Sequence, residues 1–122
     1  MTLQGKVWGN TKEIFNKNNV EIHRVDIKPG GYCSKHKHAA KFNMFLVESG
    51  ELIVRIWKNA YDLVDSTYLL KGEQTVVKPG EYHQFNAQTH VVAYEIYWTE
   101  LDQDDIVRES VGGSSTSSRN RI

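Results

Sequence analysis

His36 and His38 stand two residues apart, and His83 follows 45 residues after the second of them in Lys78-Pro79-Gly80-Glu81-Tyr82-His83. Alternate residues of an extended chain point to one face, so two imidazoles at this spacing can close on one cation, with a third arriving from a neighbouring strand. All-nitrogen ligands admit zinc, nickel, iron, manganese or cobalt, and affinity order alone does not choose among them. The residues therefore point to one divalent transition metal held inside a β-structure.

The elements that would hold it are short and β-rich: Val20 to Ile27, Phe42 to Val47, Glu51 to Trp57, Gln74 to Val77 and His90 to Trp98. Turn signals separate them at Lys28-Pro29-Gly30-Gly31, Ser49-Gly50, Lys71-Gly72 and Lys78-Pro79-Gly80, the regular punctuation of a sandwich or barrel. One exception comes late. Leu101 to Arg108 places acids before a basic residue, which predicts a short helical turn. Gly112 to Ser118 is nearly all Gly, Ser and Thr, so the folded unit is expected over 1–111, with 112–122 a flexible tail.

A chain of 122 residues makes one domain. Fifteen basic residues balance fifteen acidic ones without a long block of either sign, which disfavours nucleic acid and anionic membrane as partners. Cys33 is the one cysteine and cannot form an internal disulfide, and no run has the length of a membrane span, so a soluble cytoplasmic protein is expected.

Gly30, His36, His38 and Gly50, followed by Gly72, Pro79, Gly80, His83 and Asn86, resemble the two motifs of the cupin superfamily. The family's proline stands one place later here, at Pro79. The resemblance implies an all-β jelly-roll barrel (a double-stranded β-helix) with one metal inside, commonly paired as a homodimer. Lys6-Val7-Trp8-Gly9 and the stretch from Glu95-Ile96-Tyr97-Trp98 through Asp104-Asp105-Ile106-Val107-Arg108 are similar to the barrel domain of type II mannose-6-phosphate isomerases. The histidine-rich run, acidic ligand and second arginine that such isomerases tend to carry are not evident.

Where the first motif normally supplies a carboxylate ligand, the sequence has Asn43. Glu48 has the opposite parity and should face the other side of the sheet. The expected ligand set is three imidazoles with an amide oxygen or a water, which makes the ion a stronger Lewis acid that is more weakly held. Cupins acting on unsaturated uronates use an amide at the equivalent place. The resemblance also singles out Glu95 as the acid or base that moves a proton between neighbouring carbons of a sugar. Its parity is that of Val91, Ala93 and Tyr97. Arg24, Lys41 and Arg108 are the basic side chains offered to a phosphate or carboxylate on the substrate.

Blander roles stand beside these. Asn43 can cap a strand or a water, Glu95 can be an ordinary ion-paired residue, and a lone cysteine is usually a small hydrophobe. His23 and His90 lie outside the motifs and read as surface or strand-pairing residues, the tryptophans and tyrosines as packing groups, and Asp102, Asp104 and Asp105 as a solvated helix start. Three functions remain open: a metal-dependent enzyme isomerising a phosphorylated, nucleotide-linked or acidic sugar, an Fe(II) dioxygenase, and a non-catalytic sugar-binding or regulatory module. An apolar even-parity face in the last strand, with Val92, Ile96 and Trp98, is the expected dimer surface.

Overall fold

The structure, a computed structural model, describes residues 3–58, 63–100 and 105–115. Their strands are β1 (Leu3–Lys6), β2 (Gly9–Lys17), β3 (Val20–Ile27), β4 (Phe42–Ser49), β5 (Leu52–Trp57), β6 (Val64–Leu69), β7 (Gln74–Val77), β8 (Tyr82–Ala87) and β9 (Val91–Trp98). A six-stranded sheet runs β1-β2-β3-β9-β4-β7, and a three-stranded sheet runs β6-β5-β8. Every pairing is antiparallel, the arrangement expected of a jelly roll.

Inward positions of the two sheets supply the core. Val25 and Ile27 of β3, Phe45 and Val47 of β4, Leu52 and Val54 of β5, Phe85 of β8, and Val91 and Ala93 of β9 are all buried. Such alternation is what a sheet with one dry face requires, and each large aliphatic or aromatic side chain so removed from water contributes about 1.5–3 kcal/mol. Trp8 closes one end, its ring edge-on to Phe85 at 5.0 Å between centroids.

Gly50 turns β4 into β5 with φ of 91°, and a Cβ there would lie 2.1 Å from the carbonyl oxygen of His90. Only glycine meets both demands at once.

The helical turn expected over 101–108 is corrected in its described half, since residues 105–108 carry no helix; residues 101–104 lie outside the described set. Ile106 is 57 % exposed and Val107 fully so, and without an apolar face packed on the barrel so short a helix has nothing to offset its nucleation. Residues 105–115 are exposed throughout, and the rest of the expected tail, 116–122, is not among the described residues. No described helix is long and apolar enough to cross a membrane.

Candidate metal centre

The inner face of the large sheet is apolar at one end and polar at the other. Register places Glu13 opposite His23, His23 opposite Glu95, and Glu95 opposite Phe45, while Glu21 faces Tyr97 and Tyr97 faces Asn43 in the adjacent row. Period-two alternation from the core residues Val25, Ala93 and Phe45 thus dictates that His23, Glu95, Tyr97 and Asn43 all project inward.

His36 and His38 lie in the connection between β3 and β4, not on a regular strand. His36 is bridged to His83 of β8: its N–H donates to the His83 carbonyl at 3.1 Å and its own carbonyl accepts from the His83 N–H at 2.8 Å. His38 is tied by its carbonyl, which accepts from the Gly80 N–H at 2.8 Å. The turn of the second motif therefore fixes both histidines of the first. Between and before them Lys35 and Lys37 face outward, their ammonium groups 4.2 Å from the Trp57 ring and 4.8 Å from the Tyr82 ring.

The three imidazoles converge. Their ring centroids are 5.1, 4.4 and 5.4 Å apart, and one nitrogen from each lies within 4.8 Å of the others. Nδ1 of His36 meets the Ser34 carbonyl at 2.8 Å, and Nδ1 of His83 meets the Glu81 carbonyl at 3.1 Å. A carbonyl can only accept, so both Nδ1 atoms carry the hydrogen and both Nε2 atoms present a lone pair, the tautomer a metal needs. Burial, reinforced by the neighbouring imidazoles, pulls His38 down to about 4, and burial likewise lowers His83. Neutral, ligation-ready rings are the result.

Among the described residues, two buried side-chain polar atoms have no hydrogen-bond partner, Nε2 of His38 and Oδ1 of Asn43. Asn43 is 1 % exposed, and its amide nitrogen is 3.5 Å from Nε2 of His83. Orphaned acceptors of this kind are costly in a folded protein, and both are satisfied if a cation is shared among His36, His38, His83 and the Asn43 amide oxygen. The residues present fit one divalent metal.

Beside the histidines lies a cavity of about 290 Å³ lined by His36, Glu95, Tyr97, His23 and Cys33, with Gln4, Lys6, Trp8 and Thr11 from the first two strands and the segment joining them. Removal from water raises the proton affinity of Glu95, while the Tyr97 hydroxyl, which donates to its carboxylate, opposes that rise. Tyr97 is itself raised by burial and by the Glu95 charge. Its ring packs edge-on to His38 at 5.3 Å and to His23 at 5.8 Å, so it bridges the metal centre and the cavity wall. Burial pushes the Cys33 thiol up to about 11, and its Sγ accepts from the Phe85 N–H at 3.2 Å; it is a neutral wall group.

The basic residues divide. The Lys41 ammonium sits 4.6 Å from the Tyr97 ring, within the electrostatic reach of His38. Arg24 is on the outer face, 3.9 Å from Glu48, which also accepts from the Tyr94 hydroxyl. Glu48 thus faces away from Asn43, as its parity requires. Arg108 is exposed in the segment after the barrel. His90 pairs with Asp26 at 2.6 Å on the surface. His23 is the inward residue that motif spacing alone does not reveal; its parity with Val25 and Ile27 is the signal that locates it.

This architecture has close structural parallels. KdgF from Halomonas sp. superposes with a TM-score of 0.71 at 14 % identity, covering 84 % of this chain and 89 % of that one. The Cnp3 cupin domain of Schizosaccharomyces pombe gives 0.68 at 14 % identity, over 82 % of this chain and 69 % of its own. The chain has a cupin fold. The capsular polysaccharide assembling protein CapF from Staphylococcus aureus matches the same cupin barrel with a TM-score of 0.72 at 21 % identity, over 85 % of this chain but only 30 % of CapF. No family model and no curated protein sequence matches this chain.

Proposed function

We propose that the protein is a metal-dependent cupin enzyme that rearranges a small sugar by moving a proton between adjacent carbons. The observation that carries this reading is that Glu95 and the metal-facing His36 line one cavity of about 290 Å³. Its size and its mixture of aromatic and hydrogen-bonding walls suit a ligand of monosaccharide scale.

The metal, held by His36, His38, His83 and the Asn43 amide oxygen, would polarise a carbonyl or adjacent hydroxyls of the sugar. Glu95 takes the proton from the carbon next to the carbonyl and returns it to the former carbonyl carbon, while the proton of the adjacent hydroxyl passes to the carbonyl oxygen, so the rearrangement is redox-neutral overall. A carboxyl whose proton affinity is raised by burial is matched to that double duty. Tyr97 holds the carboxylate through its hydroxyl, and Trp8 and Phe85 close the apolar side of the wall. CapF, whose name ties it to capsular polysaccharide assembly, shares the barrel and adds support for a sugar ligand.

The test is incubation of metal-loaded protein with aldoses, ketoses, sugar phosphates and uronates in heavy water. Deuterium incorporation beside a carbonyl, abolished by Glu95→Gln with metal retained, is expected. A fully loaded protein that exchanges no carbon-bound hydrogen on any of them would defeat the reading.

The three neutral imidazoles, with no carboxylate among the proposed ligands, support a second reading, an Fe(II) centre that activates oxygen. Substrate-dependent oxygen uptake by iron-loaded protein separates it from the first. The barrel is further read as a homodimer through the outer face of β9, where the Trp98 ring stacks on Phe42 at 5.5 Å and Ile96 is partly exposed. Sedimentation of wild type and Ile96→Glu checks this.

A further inference from the structure

A second cavity of about 540 Å³ lies beside the first, and Lys6, Trp8, Cys33 and Ser34 line both. Its outer wall is the turn after β3, with Lys28, Gly30, Gly31 and Tyr32. Lys6 and Lys28 are the charged residues of that lining, and it contains no carboxylate. Neither lysine forms an ion pair with a described residue.

The two cationic segments are fastened together. The Lys28 N–H donates to the Trp8 carbonyl at 2.9 Å, and a Cβ on Gly31 would come within 2.9 Å of that same carbonyl oxygen, so bare backbone keeps the turn against the strand connection. Lys6 is aimed inward by its register: Gln4 pairs with Thr11 on the cavity side, and Lys6 shares the parity of Gln4. It is near enough to Glu95 to lower that carboxyl's proton affinity.

Exposed lysines are ordinarily solvated and scattered among acids. Two on one concave wall, neither ion-paired with a described residue and with no carboxylate in that lining, instead leave a positive potential that an anion relieves, and an ammonium is a strong donor to phosphoryl or carboxyl oxygens. We propose that Lys6 and Lys28 form an oxyanion subsite, which holds a phosphoryl or carboxyl group at the end of the substrate remote from the histidines. This deepens the sugar reading above and rests on it. It also moves anion recognition away from Arg24, Lys41 and Arg108, none of which lines either cavity.

Calorimetric titration of the metal-loaded full chain with glucose, glucose 6-phosphate and glucuronate, at low salt, tests the subsite. At least one anionic sugar is expected to bind about tenfold or more tighter than glucose. The advantage should fall below about twofold in K6M/K28M and survive in K12M, since Lys12 stands opposite Arg24 on the outer face. Whichever anion keeps the larger advantage identifies the group as phosphoryl or carboxyl. Equal binding of all three sugars, no binding of any, an advantage that persists in the double variant, or an equal loss in K12M each overturns the proposal. Failure of the catalytic reading shows separately, as tight anion-dependent binding with no hydrogen exchange at carbon.

Discussion

His36 and His83 exchange two backbone hydrogen bonds, and their rings lie 4.4 Å apart as a consequence. Two candidate ligands on different segments are thus set by main-chain geometry. The same pairing keeps Ser34 and Glu81 where their carbonyls select the ring tautomers. Preorganisation of this sort lowers the ordering cost of metal binding.

Replacing His83 by alanine removes a fully buried ligand while the backbone bridge remains available. Bound metal, measured by mass spectrometry after gel filtration, should drop from about one per chain by at least tenfold. Circular dichroism should retain the β signature. Undiminished metal in His83→Ala would place the ion elsewhere.

Asn43→Asp puts a charge where the amide now stands. With metal bound, the carboxylate compensates the cation, and affinity should rise by about tenfold. Without metal, a carboxylate buried as Asn43 is must take a proton or remain uncompensated, so the apo-protein should melt lower than wild type at neutral pH. The crossed signs are the check, and a variant destabilised in both forms would remove Asn43 from the ligand set.

Tyr97→Phe deletes the donor that holds the Glu95 carboxylate against the effect of burial. The proton affinity of Glu95 should then rise further, and the acidic limb of kcat/KM should move to higher pH. A limb that stays in place would show that Glu95 is not the titrating group.

Metal-free protein should lose stability on acidification. In the unfolded chain His38 and His83 take protons near pH 6.5, whereas in the fold both resist, His38 until about 4. Below pH 6.5 the unfolded chain therefore binds more protons, so stability is fully present above that value and falls as pH drops toward 4. Melting temperatures recorded across this window should decline; a flat profile would mean that the rings are already solvated.

Gly50→Ala meets both a left-handed φ and a carbonyl oxygen 2.1 Å from the new methyl. A loss of about 2 kcal/mol or more in urea unfolding is expected. A loss below about 0.5 kcal/mol would mean that the His90 backbone yields easily.

Strands β3, β4, β5, β7 and β9 were legible because apolar residues alternate along them or fill them outright. β8 carries no clear apolar period: its inward positions are His83, Phe85 and Ala87, and the histidine interrupts the alternation. β2 is mostly exposed or half-exposed and β6 mostly exposed, so neither carries a clear hydrophobic pattern. At the site, motif spacing located His36, His38 and His83, and strand parity turned Glu95 inward and Glu48 outward. The proposed anion subsite is not legible in the sequence, since Arg24 and Lys6 differ only in which face their strands present, and β1 gives no apolar signal by which to set its register.

Lys6 belongs to an edge strand, whereas Asn43 and Glu95 stand on strands flanked on both sides. The proposed chemistry and the proposed anion recognition would thus be written on different strands of the barrel. On that assignment, substitutions in the opening hairpin would retarget ligand choice while the three histidines, held by β8 and the connection between β3 and β4, stay in place, which makes this margin the natural starting point for directed evolution.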